Sequence, residues 1–337
     1  QQGDAATRDP QQEFAHLVEL LDRHGAPHPQ PNATHYYGQI GKNLLKWEQH
    51  TEFVTYTVFN EGLDPRHFED EVFSSFPSDW LANAPGQRVT SVSLRIETTD
   101  DRDCISQRIK NWFVPESLAV SSVLDDAAVV AADFRIDPMG HQRFAIFPTG
   151  QTGGRRLGRI VQRLCEIETY KAMSMLGFSH AQSMGEKLNG LDRQLTDLMG
   201  SMRSSDADAE TTLHALLGIA SELETLSAQG SFRFGATGAY SAIVSQRIAA
   251  LREERFHGRQ SFAEFMMRRY EPAMRTVNST ELRLDALSNR STRAANLLRT
   301  RVDVERSAQN QALLTSMDRR SDQQLQLQRT VEGLSVV

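Results

Sequence analysis

Ten of the eleven prolines lie at or before Pro148, and only Pro272 follows. A proline inside a helix removes a hydrogen bond, clashes with the preceding turn and costs about 3 kcal/mol. The stretch 149–337 is therefore the part of the chain free to form long helices. All three tryptophans, Trp47, Trp80 and Trp112, fall before it. Between the two parts lies Gly150-Gln151-Thr152-Gly153-Gly154, which reads as a flexible joint. Charge divides at the same place. Residues 1–150 hold 12 Lys and Arg against 22 Asp and Glu, whereas residues 151–337 hold 25 against 21. The fold expected is α+β. An acidic, mixed α/β head over 1–150, with about seven strands and three helices, precedes an all-α stalk of long helices with coiled-coil packing over 151–337.

In the head, Phe14, Leu17, Val18 and Leu21 share one helical face within 11–24. Segments 35–40, 43–49, 51–59, 89–96, 117–123, 128–135 and 142–148 are rich in β-formers or alternate in polarity, and predict strands. Pro77 and Asp79 suit the first turn of a short helix. Asp103 is placed to cap a helix through Ile105, Ile109 and Trp112. The stalk divides into helices near 155–177, 180–203, 207–229, 236–269 and 272–335, with breaks at Gly177, Ser204-Ser205 and Gly230 to Gly235. In the last helix Leu284, Leu287, Ser291, Ala294, Leu298 and Val302 recur at spacings of three and four, a coiled-coil seam. The seam continues through Glu305, Gln309 and Ala312, where it turns polar or small. It predicts contact with other stalk helices or with further subunits.

Several function classes are set aside on composition. An acidic head repels phosphate backbones, so nucleic acid is not an expected partner. Two cysteines, Cys104 and Cys165, make no disulfide framework and fit a reducing compartment. HExxH, GxSxG, GxGxxG and Walker motifs are missing, and no zinc-type Cys/His spacing occurs. No enzymatic activity is expected.

The densest polar cluster is Lys46-Trp47-Glu48-Gln49-His50-Thr51-Glu52-Phe53. On a single strand, period two puts Glu48, His50 and Glu52 on one face, a set able to hold a divalent metal or move protons. The competing reading is a solvent face salt-bridged to Lys46, and a hairpin between Gln49 and Glu52 would break the shared face. Arg155-Arg156 after the glycine joint can hold an anion or act as linker. Asp100, Asp101, Asp103, Asp125 and Asp126 lack EF-hand spacing and suit turns and caps. Arg319, Arg320 and Arg329 precede the apolar end Leu334-Ser335-Val336-Val337, where they suit the cytoplasmic flank of a membrane helix or ordinary helix charge.

Four strings make the chain resemble a bacterial family catalogued as domain of unknown function 3422. They are Lys46 to Phe53, Arg159-Ile160-Val161-Gln162-Arg163-Leu164-Cys165-Glu166-Ile167-Glu168-Thr169-Tyr170, Glu271-Pro272-Ala273-Met274-Arg275-Thr276, and Ala295 to Val304. A fifth runs from Ser316 through Val336. The resemblance implies a segment upstream of Gln1 and two membrane helices beyond Val337. The layout then looks like that of the CorA-type magnesium transporters. The expectation that follows is the soluble part of a homo-oligomer on the cytoplasmic side of the bacterial inner membrane. Its role would be ion transport or gating, with a divalent cation such as magnesium, or else that of a membrane-anchored scaffold.

Overall fold

The computed structural model describes residues 8–63, 67–68, 70–202 and 209–334, with side chains described except at 70–72 and 328–334. Its elements are α+β, as the sequence predicts, with eight strands and seven α-helices among the described residues. The seven expected strands appear within a few residues of their expected bounds, and the eighth comes from the helical half.

By its internal contacts the chain divides into two compact units: residues 1–173 with 240–271, and residues 174–239 with 272–337. The first unit thus draws residues 151–173 and 240–271 from beyond residue 150, and the second lies wholly beyond it.

In the first unit, strands β1 (His35–Ile40), β2 (Asn43–Gln49) and β3 (Val54–Phe59) form an antiparallel meander. Helix α1 (Pro10–Arg23) starts at Asp9, whose carboxylate accepts the N–H groups of Gln11 and Gln12. It buries Leu17, Leu20 and Leu21 with Ile40, Leu45 and Trp47 of the meander. Trp80, on the short helix α2 (Ser78–Ala82), completes this core and donates its indole N–H to His16 O at 2.9 Å.

The second sheet has five strands in the order β4 (Val92–Ile96), β7 (Gln142–Pro148), β6 (Ala128–Ile136), β5 (Ala119–Val123) and β8 (Glu254–Arg255). Only the β4–β7 pair is parallel. Helix α3 (Arg102–Trp112) packs Ile105, Ile109 and Trp112 on Val120, Val129, Ala131, Ala145 and Phe147. Every residue of β5 is buried, which accounts for its unbroken small and apolar run. The cap of α3 is Asp101, whose carboxylate accepts the N–H groups of Asp103 and Cys104. Asp103 instead sits in the first turn, where a negative charge complements the helix dipole.

The long helices differ most from expectation. Helix α4 runs unbroken from Gly154 to Ser201 and α5 from Ala209 to Leu251, so Gly177 and the Gly230–Gly235 stretch are helical. The expected break at Ser204-Ser205 lies outside the described residues. Helix 236–269 does not form as one piece. It stops at Leu251, turns through Arg252 with positive φ, adds β8 to the sheet and resumes as α6 (Phe262–Arg269). Tertiary bonds hold this interruption. Glu253 accepts hydrogen bonds from Ser121 Oγ and from the N–H groups of Phe262 and Ala263, and Val120 N–H donates to Gln260 O. Helix α7 (Glu271–Leu334) follows.

The second unit is a three-helix bundle. Arg283 of α7 bonds Asn189 and Asp192 of α4, Arg290 bonds Asp192 and Thr196, and Arg301 donates to Met202 O. Both numbers rise together, so α4 and α7 run parallel. Gly177 and Met184 of α4 lie beside Thr237 and Gly230 of α5, so these two run antiparallel. Each helix buries a stripe at spacings of three and four: Ala181, Met184, Leu188, Leu191 and Leu195; Leu216, Ile219, Leu223 and Leu226; and Leu284, Leu287, Ser291, Ala294, Leu298 and Val302.

Candidate functional site

The polar segment 46–53 contributes to two strands. β2 ends at Gln49, β3 begins at Val54, and His50 N–H donates to Phe53 O at 2.8 Å across the turn between them. The face expected to be shared by Glu48, His50 and Glu52 is therefore interrupted. Glu48 pairs with Lys46 at 2.8 Å. Glu52 accepts from Tyr240 OH at 3.0 Å. The ring of His50 stacks on Phe53, with centroids 4.4 Å apart. Among the described residues no group of three His, Cys, Asp or Glu side chains is placed to hold a metal.

What the turn does is join elements. Arg8 donates to both carboxylate oxygens of Glu13, to His50 O and to Phe53 O, which ties the turn to the start of α1. Phe53 meets Tyr170 of α4 at 6.0 Å and Tyr240 of α5 at 6.3 Å, and the two tyrosine rings stack at 5.5 Å. One turn away along α4 and two along α5, Arg247 donates to Glu166. Two of the strings that carry the family resemblance thus meet here. Burial pulls the His50 imidazole below its ordinary value of 6.5; Glu48 and Glu166 act against that shift, and Arg8 and Lys46 reinforce it. Burial and the Glu166 charge push the Tyr170 phenol up. The stacked His50 and Phe53 rings, the Tyr170–Tyr240 pair and the bonded carboxylates make an interlock between sheet and helices.

A histidine with a lowered folded-state pKa stabilises the fold fully above its unfolded value, and this contribution fades as pH falls through the folded value. Urea titrations should therefore show stability dropping below about pH 6.5. His50→Gln should flatten part of that slope, the remainder coming from His16, which burial also lowers. An unchanged slope in His50→Gln would contradict the assignment.

A second polar cluster was not picked out by motif. Glu168 of α4 is 1% exposed. It bonds Lys171 Nζ at 2.5 Å and accepts from Thr90 Oγ1 at 3.2 Å, and Lys171 also lies 5.0 Å over the Phe134 ring. The signal in the sequence was position: Glu168 continues the stripe of Ile160 and Leu164 by one turn, so a charge stands where a core residue is due. A surface groove of about 490 Å³ beside α3 is lined by Arg95, Glu97, Cys104, Arg108, Asn111 and Trp112. Its buried carboxylate, Glu97, is bonded by both Arg95 and Arg108.

The aspartates act in turns and caps. Asp125 pairs with Arg156 and Arg252, and Asp126 with Arg102. Arg156 also donates to Leu124 O, so it fixes the 124–126 turn beside the joint.

The seam residues of α7 divide in two. Leu284 through Val302 are buried within the bundle. Glu305, Gln309 and Ala312 are exposed, as is every described side chain from Asp303 to Leu327. Arg319 and Arg320 lie in this exposed stretch; Arg329 lies in α7 outside the described side chains. Among the described residues no helix is long and apolar enough to cross a membrane.

An α+β chain with a two-sheet unit and a three-helix bundle defines the class. The chain belongs to the family described as protein of unknown function (DUF3422), whose model matches residues 4–337. No curated protein and no solved structure matches it.

Proposed function

We propose that this chain is a non-catalytic assembly module whose copies join through the C-terminal stretch of α7. The observation behind the reading is the stretch 303–327. It is continuous helix, and all of its side chains are exposed. Leu313, Leu314, Met317, Leu325 and Leu327 are each more than half exposed. A helix of this length gains little stability in water without a partner on its apolar face. The family resemblance supports the setting: a homo-oligomer attached to the cytoplasmic side of the bacterial inner membrane, with Arg319, Arg320 and Arg329 toward the bilayer. Bonded carboxylates at Glu52, Glu97 and Glu166 favour a structural role over catalysis. Ion gating by the same helix would need Glu305, Gln309 and Ala312 to face a common axis. These positions lie one residue out of phase with Leu313 and Met317, so the apolar residues define the face that pairs.

Sedimentation velocity tests this directly. The chain should sediment as an oligomer at micromolar concentration, and the double variant Leu313→Glu/Met317→Glu should sediment as a monomer with unchanged helix content. A monomeric parent chain would overturn the reading.

A further inference from the structure

Strand β4 stands at one end of the five-stranded sheet and pairs only with β7. In that parallel ladder Ser91 O accepts from Gln142 N–H, and Glu97 N–H donates to Ile146 O. The odd-numbered residues of β4 therefore direct their main-chain groups to β7, and Val92, Leu94 and Ile96 turn theirs the other way. Among the described residues nothing bonds to those outward groups. All three residues are partly exposed. An edge with free N–H and C=O groups is a template for one more strand.

The groove of about 490 Å³ borders this same strand. Arg95 registers with Ala145, which lies under α3, so the α3 side of β4 carries Ser93, Arg95 and Glu97. Cys104, Arg108 and Asn111 of α3, at spacings of four and three, line the groove with Arg95 and Glu97. The buried Trp112 ring lies beneath, with the Arg95 guanidinium 5.5 Å over it. Among the lining residues two guanidiniums stand against one carboxylate. Arg108 bonds Glu97 through one terminal nitrogen, and its side chain is 36% exposed, which leaves other donors of its fork for an acceptor from outside. A strand added to β4 would set every second side chain on the α3 side, beside these donors. There an acidic side chain meets a guanidinium and a basic one meets like charge.

We propose that the free edge of β4 takes an extended peptide segment of a partner protein as a sixth strand, with an acidic side chain of that segment in the groove on Arg108. The surface belongs to the first unit and does not involve α7.

Random heptapeptides displayed on phage are the probe, selected against the whole chain and then made as end-blocked synthetic peptides. The peptides expected carry Asp or Glu at one fixed place among β-branched residues. Methylating their amide nitrogens one at a time should weaken binding about tenfold at alternate positions only, the signature of a paired strand. Arg108→Gln should weaken binding of the acidic peptides about tenfold and leave their glutamine analogues unchanged. Val92→Pro removes an N–H that faces the free edge and none that faces β7, so it should abolish binding with the far-ultraviolet circular dichroism unchanged. Should that variant unfold, the methylation series on the parent chain decides alone. No enrichment, enrichment without an acidic residue, or methylation effects that do not alternate would overturn the proposal.

Discussion

Lys171→Met should destabilise the first unit by about 3–5 kcal/mol at pH 7, the usual cost of removing one partner from a buried ion pair. Glu168 is 1% exposed and Lys171 is its cation. Burial already pushes the Glu168 carboxyl above its ordinary 4.5, and Lys171 is the largest influence holding it down. Without the ammonium the folded-state pKa rises further. A carboxyl raised in this way stabilises the fold when protonated. Its contribution is complete below the unfolded value near 4.5 and is lost as pH climbs through the folded value. The variant should thus regain stability on going from pH 7 to pH 5. Adding Glu168→Gln should restore most of the loss, because an amide in the same place carries no charge to desolvate. Urea titrations at both pH values check this. A loss under about 1 kcal/mol that does not vary with pH would mean that Glu168 is solvated or paired elsewhere.

Gly177→Leu should cost the three-helix bundle about 3 kcal/mol, at the upper end for overpacking. A methyl on Gly177 would already stand 2.0 Å from Thr237 Oγ1 and 2.8 Å from its Cβ. Thr237 cannot swing aside freely. It is 2% exposed, and its hydroxyl donates to Arg233 O at 2.7 Å. Gly177→Ala is the informative smaller step. Helix propensity alone predicts a gain of about 1 kcal/mol, so a net loss isolates the close approach of α4 and α5. In a double-mutant cycle, Gly177→Ala should be tolerated once Thr237→Ala has cleared the space. Thermal unfolding of the four chains reads it out. Equal effects of Gly177→Ala in both backgrounds would show that the helices do not touch there.

Both positions mark where one sequence stops being informative. Gly177 reads as a helix breaker because glycine is locally costly. In the bundle its missing Cβ is what lets α5 come close. The segment 252–261 reads as helix because nothing in Leu251 to Arg255 opposes it locally. It leaves the helix, with Glu254 and Arg255 pairing on β5, because Ser121, Val120 and Glu253 supply bonds that a continuous helix would forgo. The Glu48, His50 and Glu52 face fails for the same reason: alternation along a strand holds only until the chain turns, and the turn at 50–53 is clamped by Arg8, 42 residues away from His50.

The sequence alone determined the α+β class, the seven strands with Pro- and Gly-rich punctuation, the helical second half and the heptad seam from Leu284 to Val302. These follow from period-two and period-three-to-four patterns, which report local geometry and the side on which apolar surface must be buried. The tertiary structure decided which residues share a unit, which seam residues are already buried and which stay exposed, and that Glu168 sits inside with Lys171. Those outcomes depend on contacts between residues far apart in the chain, and local periodicity carries no record of them.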